Sequence, residues 1–138
     1  MESRINKTIE RHDKGYNCAQ AVACTYCDLL GYDEDTVFRM TEGFGAGMGG
    51  MEATCGALSG AVLLAGLKGS GGAECSPRTK GSTYKVSKEM TKRFHETAGA
   101  LVCRELKGIG SDRPAYPCEE CIKTAARIAE ELLFSETD

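Results

Sequence analysis

The segment from Cys55 to Lys68, CGALSGAVLLAGLK, is apolar on nearly every side. A helix of that kind is stable only at the centre of a fold, with amphipathic partners around it. The rest of the chain supplies them. Ser3 to Asp13 places Ile5 and Ile9 one turn apart and ends at Gly15. Asn17 is a good N-cap for a helix over Cys18 to Leu30, which Gly31 stops. Asp33 to Glu42 reads as a third, shorter helix, and Thr54 as the cap of the central one. Ser82 to Lys107 is long and periodic, with Met90, Phe94 and Leu101 on one side. Cys118 to Phe134 carries Ile122, Ala125, Ala129 and Leu132 along a stripe. No run alternates as a strand does. The expected fold is all-α: a single-domain bundle of five or six helices over residues 1–138, with a glycine-rich loop at 43–50. A second glycine-bearing connection spans 69–81.

A chain of 138 residues fits one core. Its net charge of −3 argues against nucleic acid as a partner, since phosphate binding needs a basic surface. The opening MESRINKTIERH has no apolar centre, so secretion is not expected. No stretch reaches the roughly 20 apolar residues that span a bilayer. The expected setting is therefore a reducing cytoplasm. There, eight cysteines point to metal ligation or redox chemistry rather than to disulfide staples.

Position separates these cysteines. Cys18 follows Asn17, Cys55 follows Thr54 and Cys118 follows Pro117, each at an expected helix start. Helix N-termini carry partial positive charge and free N–H groups, and both favour thiolate over thiol. Cys103 is expected inside the long helix, about 180° around from Phe94 and beside the small residues Gly99 and Ala100. Such neighbours leave room for a group next to the sulfur. Two C-x-x-C pairs, Cys24/Cys27 and Cys118/Cys121, raise the alternative of a structural zinc in a non-enzymatic docking module. The second pair, at a helix start, also suits dithiol chemistry. Haem attachment is excluded, because Asp28 and Ile122 follow the pairs where a histidine is needed.

Gly45, Gly47 and Gly50 match the letters of a dinucleotide fingerprint, but the polar, helical DEDTVFRMTEGF stands where a buried strand is required. Glycines of this loop, Gly45, Gly47, Gly49 and Gly50, instead suit the close approach of backbone N–H groups to a ligand or a metal–sulfur centre. His12 and His95 read as structural. Met40, Met48 and Met51 read as packing around the loop. Lys85, Lys88, Lys92 and Arg93 form a solvated basic face.

The blocks Gly15-Tyr-Asn-Cys-Ala-Gln-Ala-Val22, Gly43-Phe-Gly-Ala-Gly-Met-Gly-Gly50 and Thr54-Cys-Gly-Ala-Leu-Ser-Gly-Ala61, then Cys103-Arg104 and Cys118, occur in that order. This order resembles the C-GCAxxG-C-C family of redox-active proteins, over about residues 15–135. The middle motif reads Cys55-Gly56-Ala57-Leu58-Ser59-Gly60 here. The resemblance implies four signature cysteines, Cys18, Cys55, Cys103 and Cys118, with Cys24, Cys27, Cys75 and Cys121 as extras. It implies a possible oxidoreductase that works with a redox partner protein. Two mechanisms stay open: a thiol–disulfide relay, or an iron–sulfur cluster or zinc held by the four signature thiolates. Cys55 is the expected reactive thiol, because the helix dipole and the open Gly50–Gly56 approach favour it. Cys18 is expected to be less accessible, behind Tyr16 and against Val22. The exposed apolar surface of the central helix leads to the expectation of a two-fold homodimer.

Overall fold

The structure is a computed structural model and describes residues 1–110 and 115–135. The remaining few positions of the domain expected over 1–138 lie outside the described residues. Among the described residues seven α-helices follow one another: α1 (Ile5–Asp13), α2 (Cys18–Tyr26), α3 (Glu34–Thr41), α4 (Gly56–Gly69), α5 (Lys80–Ala98), α6 (Cys103–Leu106) and α7 (Cys118–Leu133). Among the described residues the one β-type pairing is an isolated antiparallel bridge between Thr54 and Val102. The all-α bundle is as expected.

α4 is the central helix, packed against α2, α5 and α7. Its contact with α2 depends on small residues. A Cβ on Gly60 would sit 2.6 Å from the carbonyl oxygen of Ala19, so only glycine lets the two backbones approach this closely. Every residue of α2 from Ala19 to Tyr26 is buried. The core continues through Leu58 and Leu64 of α4, Met90 and Phe94 of α5, and Ile122, Ala125 and Ala129 of α7. Each large side chain buried here is worth roughly 1.5–3 kcal/mol relative to exposure. The outer face of α4 is less well covered: Val62, Leu63 and Leu67 are only partly buried.

The helix starts have local causes. Asn17 and Gln20 form a capping box on α2, each side chain accepting from the other's backbone N–H at 2.9 Å. Asp33 accepts from the Thr36 N–H at 2.9 Å and caps α3. Gly31, at φ 86°, ends the 3-10 turn Cys27–Leu30 that follows α2. α1 has no side-chain cap of its own. It is tied to α7 instead, where the Glu130 carboxylate accepts from the Arg4 N–H at 2.7 Å and from the Tyr26 hydroxyl at 2.5 Å.

Two expectations change. The long helix over Ser82–Lys107 breaks at Gly99, whose φ of 87° closes α5 in the left-handed manner typical of helix ends. The chain then runs extended past 53–55. Cys55 N–H donates to the Leu101 carbonyl at 2.7 Å, and Cys103 N–H donates to the Ala53 carbonyl at 2.9 Å. Cys103 therefore opens the short helix α6 rather than lying within a long one. Thr54 does not cap α4 either. It is held in the bridge to Val102, and Cys55 itself occupies the N-cap position.

Candidate functional site

Four helix starts converge. Cys18 and Cys118 are the first residues of α2 and α7, Cys55 is the N-cap of α4, and Cys103 is the first residue of α6. All four signature positions line one cavity of about 170 Å³, together with Cys121 from the second turn of α7. His12, Lys107 and Tyr116 complete much of its wall. Three of the converging helices have nine residues or more, so their N–H ends bias this space toward negative charge. All eight cysteines of the chain are free thiols.

Within the cavity the thiols influence one another in pairs, Cys18 with Cys118 and Cys55 with Cys121. In each pair one sulfur is favoured as thiolate at the expense of the other. The neighbouring Cys18 thiol holds Cys118 down at about 6, against the cost of burial, with Lys107 and His12 adding to the effect. Cys18 is correspondingly pushed up, by Cys118 and then by burial. Cys55 is lowered first by the Cys121 thiol, with burial opposing and the amides of Ala57 and Leu58 contributing, although no formed cap hydrogen bond closes on its sulfur. Cys121 is raised. Its thiol donates to the Tyr116 carbonyl at 3.6 Å. Burial raises Cys103 as well.

Access does not follow the expected order. Cys55 is buried, whereas Cys18 and Cys118 are only partly buried. The open Gly50–Gly56 approach expected for Cys55 is closed because Gly56 packs against the Phe44 carbonyl and the Ala19 amide. Cys18 stays reachable because it is the first residue of α2, ahead of that helix's buried face.

The glycine loop divides in two. A Cβ on Gly45 would meet the Asn17 side chain at 2.5 Å, and one on Gly47 would meet the Cys103 Cβ at 2.5 Å and the Ala53 carbonyl oxygen at 2.8 Å. Gly49 and Gly50 face open space. Ala46, Met48 and Met51 hold positive φ values of 51°, 64° and 64°. A left-handed conformation costs a non-glycine residue roughly 1–2 kcal/mol, so surrounding contacts must impose it. The wedging of Gly47 between Cys103 and Ala53 is such a contact. Gly45 and Gly47 thus set the walls around the thiols, and Ala46 lines the cavity itself.

The two C-x-x-C pairs do not come together. Cys24 and Cys27 line a different cavity, beside Arg4, Arg11 and Glu34. The zinc site expected between the two pairs would need them side by side, whereas they line different cavities. Among the described residues no group of three or more His, Cys, Asp or Glu side chains is arranged to hold a metal ion.

Sequence reasoning left Cys121 outside the signature and passed over Lys107 and Tyr116. The three-residue spacing to Cys118 was the usable clue for Cys121, since positions i and i+3 share a helix face.

A family model for C_GCAxxG_C_C, described as putative redox-active protein, matches residues 16–132. The chain belongs to this family. The match spans the capping box at Asn17, the glycine loop and all five cavity cysteines. Comparisons with curated proteins and with solved structures give no match. No described helix is long and apolar enough to cross a membrane.

Proposed function

We propose that this redox-active protein works as a thiol–disulfide oxidoreductase in a reducing cytoplasm, with Cys18 and Cys118 as its reactive pair. The observation that carries this reading is the convergence of two partly buried thiols on one cavity, at the starts of α2 and α7. Cys118, the more acidic member, attacks one sulfur of a disulfide in a partner protein and expels the other as a thiolate. Cys18 passes its proton to that leaving thiolate and then attacks the Cys118 sulfur. The partner departs as a dithiol, and Cys18–Cys118 remains as a disulfide. Two electrons have moved from this chain to the partner. Reaction in the reverse direction oxidises a partner dithiol. Accessibility is the reason to place the first attack at Cys118 rather than at Cys55.

The test is anaerobic purification with iron, zinc and labile sulfide analysis, followed by mild oxidation and mass mapping of blocked thiols. With oxidant in excess, a Cys18–Cys118 disulfide that dithiothreitol reverses is the expected result. Stoichiometric iron and sulfide, lost in Cys18→Ser, would replace the relay with a cluster. A homodimer through the partly buried outer face of α4, around Val62 and Leu63, is part of the same proposal. Sedimentation should show twice the 14.8 kDa chain mass at high concentration, and a monomer there removes the dimer.

A further inference from the structure

The outer pair accounts for two of the five cavity thiols. Of the other three, Cys55 and Cys121 are the most buried, at 5% and 2% exposure, and each shifts the titration of the other. They share the 170 Å³ cavity with Cys18 and Cys118, and both of those thiols influence Cys121 electrostatically. Burial closes this inner pair to a protein partner, while its neighbours in the cavity are themselves redox-capable thiols. We infer that Cys55 and Cys121 form a second, internal dithiol that exchanges with the Cys18–Cys118 disulfide and stores an oxidising equivalent away from solvent. The inference rests on the outer-pair reading above.

The exchange needs no external reactant beyond the partner disulfide that first oxidises the outer pair. The Cys55 thiolate attacks the Cys118 sulfur, breaking Cys18–Cys118 and leaving Cys18 as a thiolate. Cys121 gives its proton to Cys18 and, as a thiolate, attacks the Cys55 sulfur. Cys55–Cys121 forms and Cys118 leaves as a thiolate. At the end Cys18 again holds the proton and Cys118 the charge, which is the resting arrangement of the outer pair. One disulfide has moved inward, and the outer dithiol is ready for a second turnover. The chain then has a capacity of four electrons rather than two.

This arrangement gives Cys121 a role that the four-cysteine signature does not assign. In each pair one sulfur is shifted toward the thiolate and the other away from it. Each exchange needs one nucleophile and one proton donor, and each pair provides both.

The experiment oxidises the full reduced chain with a graded amount of oxidised glutathione. An acid quench, maleimide labelling after unfolding, and peptide mapping then read the result. One equivalent should leave Cys55–Cys121 as the main disulfide with Cys18 and Cys118 labelled, and excess should remove four thiols. Cys121→Ser should lose only two thiols, through Cys18–Cys118. Cys118→Ser should slow oxidation of Cys55 and Cys121 at least tenfold, with folding checked by circular dichroism. Wild-type protein that loses two thiols at excess, with Cys55 and Cys121 still labelled, overturns the inner pair and leaves the outer one standing. Inner oxidation in Cys118→Ser at the wild-type rate overturns the internal exchange. Absence of Cys18–Cys118 in Cys121→Ser overturns the outer-pair reading itself.

Discussion

The chain carries two C-x-x-C pairs, and the fold gives them opposite chemistry. Cys118 and Cys121 open α7, where free N–H groups, Lys107 and other thiols surround them. Cys24 and Cys27 lie at the far end of α2 and in the 3-10 turn after it, deep in the core. Their thiols donate to backbone carbonyls, Cys24 to Glu34 at 3.8 Å and Cys27 to Cys24 at 3.6 Å. Burial penalises the charged form, the neighbouring Cys27 and Glu34 add to it, and Cys24 is pushed up to about 12. Spacing alone therefore says little about a C-x-x-C pair. Its place on the helix decides whether it acts as a nucleophile or as a small apolar side chain.

The sharpest way to break this comparison is alkylation of the reduced protein at pH 7. With Cys118 near 6 and Cys24 near 12, the thiolate fractions differ by about 10⁵-fold. Nucleophilicity falls with pKa at a Brønsted slope near 0.5 and returns about 10³ of that difference. Cys118 should thus label roughly a hundredfold faster than Cys24, before burial slows Cys24 further. Time-resolved peptide mass spectrometry measures both sites at once. Equal rates would mean that helix position is not the deciding factor.

The next effect concerns the glycine loop that supports the reactive region. Gly47→Ala places a methyl group 2.5 Å from the Cys103 Cβ at a backbone φ of 56°. Overpacking and the left-handed conformation together should cost about 1–3 kcal/mol. Gly50→Ala adds a methyl group to open space at ordinary φ and should be close to neutral. Denaturant midpoints of the two variants test the contrast. Equal midpoints would show that the loop does not brace the cavity.

Cys27→Ala sharpens the other side of the comparison. Removing one buried heavy atom from a packed core costs about 1 kcal/mol, as an Ile→Val change does. The melting temperature should fall by roughly 3–5 °C. Formation of the Cys18–Cys118 disulfide should be unchanged, because Cys27 lines a different cavity. Loss of that disulfide in Cys27→Ala would join the two regions that the fold separates.

What the sequence made legible follows the same division between local and distant causes. Asn17 before Cys18, Pro117 before Cys118 and Gly31 after α2 act on their own neighbours, so their helix boundaries could be read directly. The place of Cys103 could not. The break at Gly99 is completed by the pairing of 101–103 with 53–55, a contact across nearly fifty residues. Glycine inside a periodic segment is often tolerated, and nothing local marks this one as a stop. The same bridge takes Thr54 away from its expected capping role. Accessibility was likewise illegible, because the burial of Cys55 depends on α2 and the 42–45 turn closing over Gly56. Cys121 lay in plain view, but its pairing with Cys55 depends on how α4 meets α7.

The smallest expected effect separates the neighbouring thiol from the surrounding charge at Cys118. Lowering of this thiol comes first from Cys18, and only after burial from Lys107 and then His12. A single cation at a partly solvated rim is screened, and its influence should stay below about one pKa unit. Cys118 alkylation in the wild-type protein should rise with pH through about 6 and level off above it. Lys107→Gln removes a charge that stabilises the thiolate, so the inflection moves upward. At pH 6 the thiolate fraction should fall about two- to fivefold. Above pH 8 the two proteins should converge, since Cys118 is then ionised in both. Added salt should reduce the wild-type advantage, while Cys24 should respond to neither change. Cys18→Ala removes the larger influence and should move the inflection further than Lys107→Gln does. The reverse ranking would mean that the field of the rim, rather than the thiol pair, sets the reactivity of Cys118.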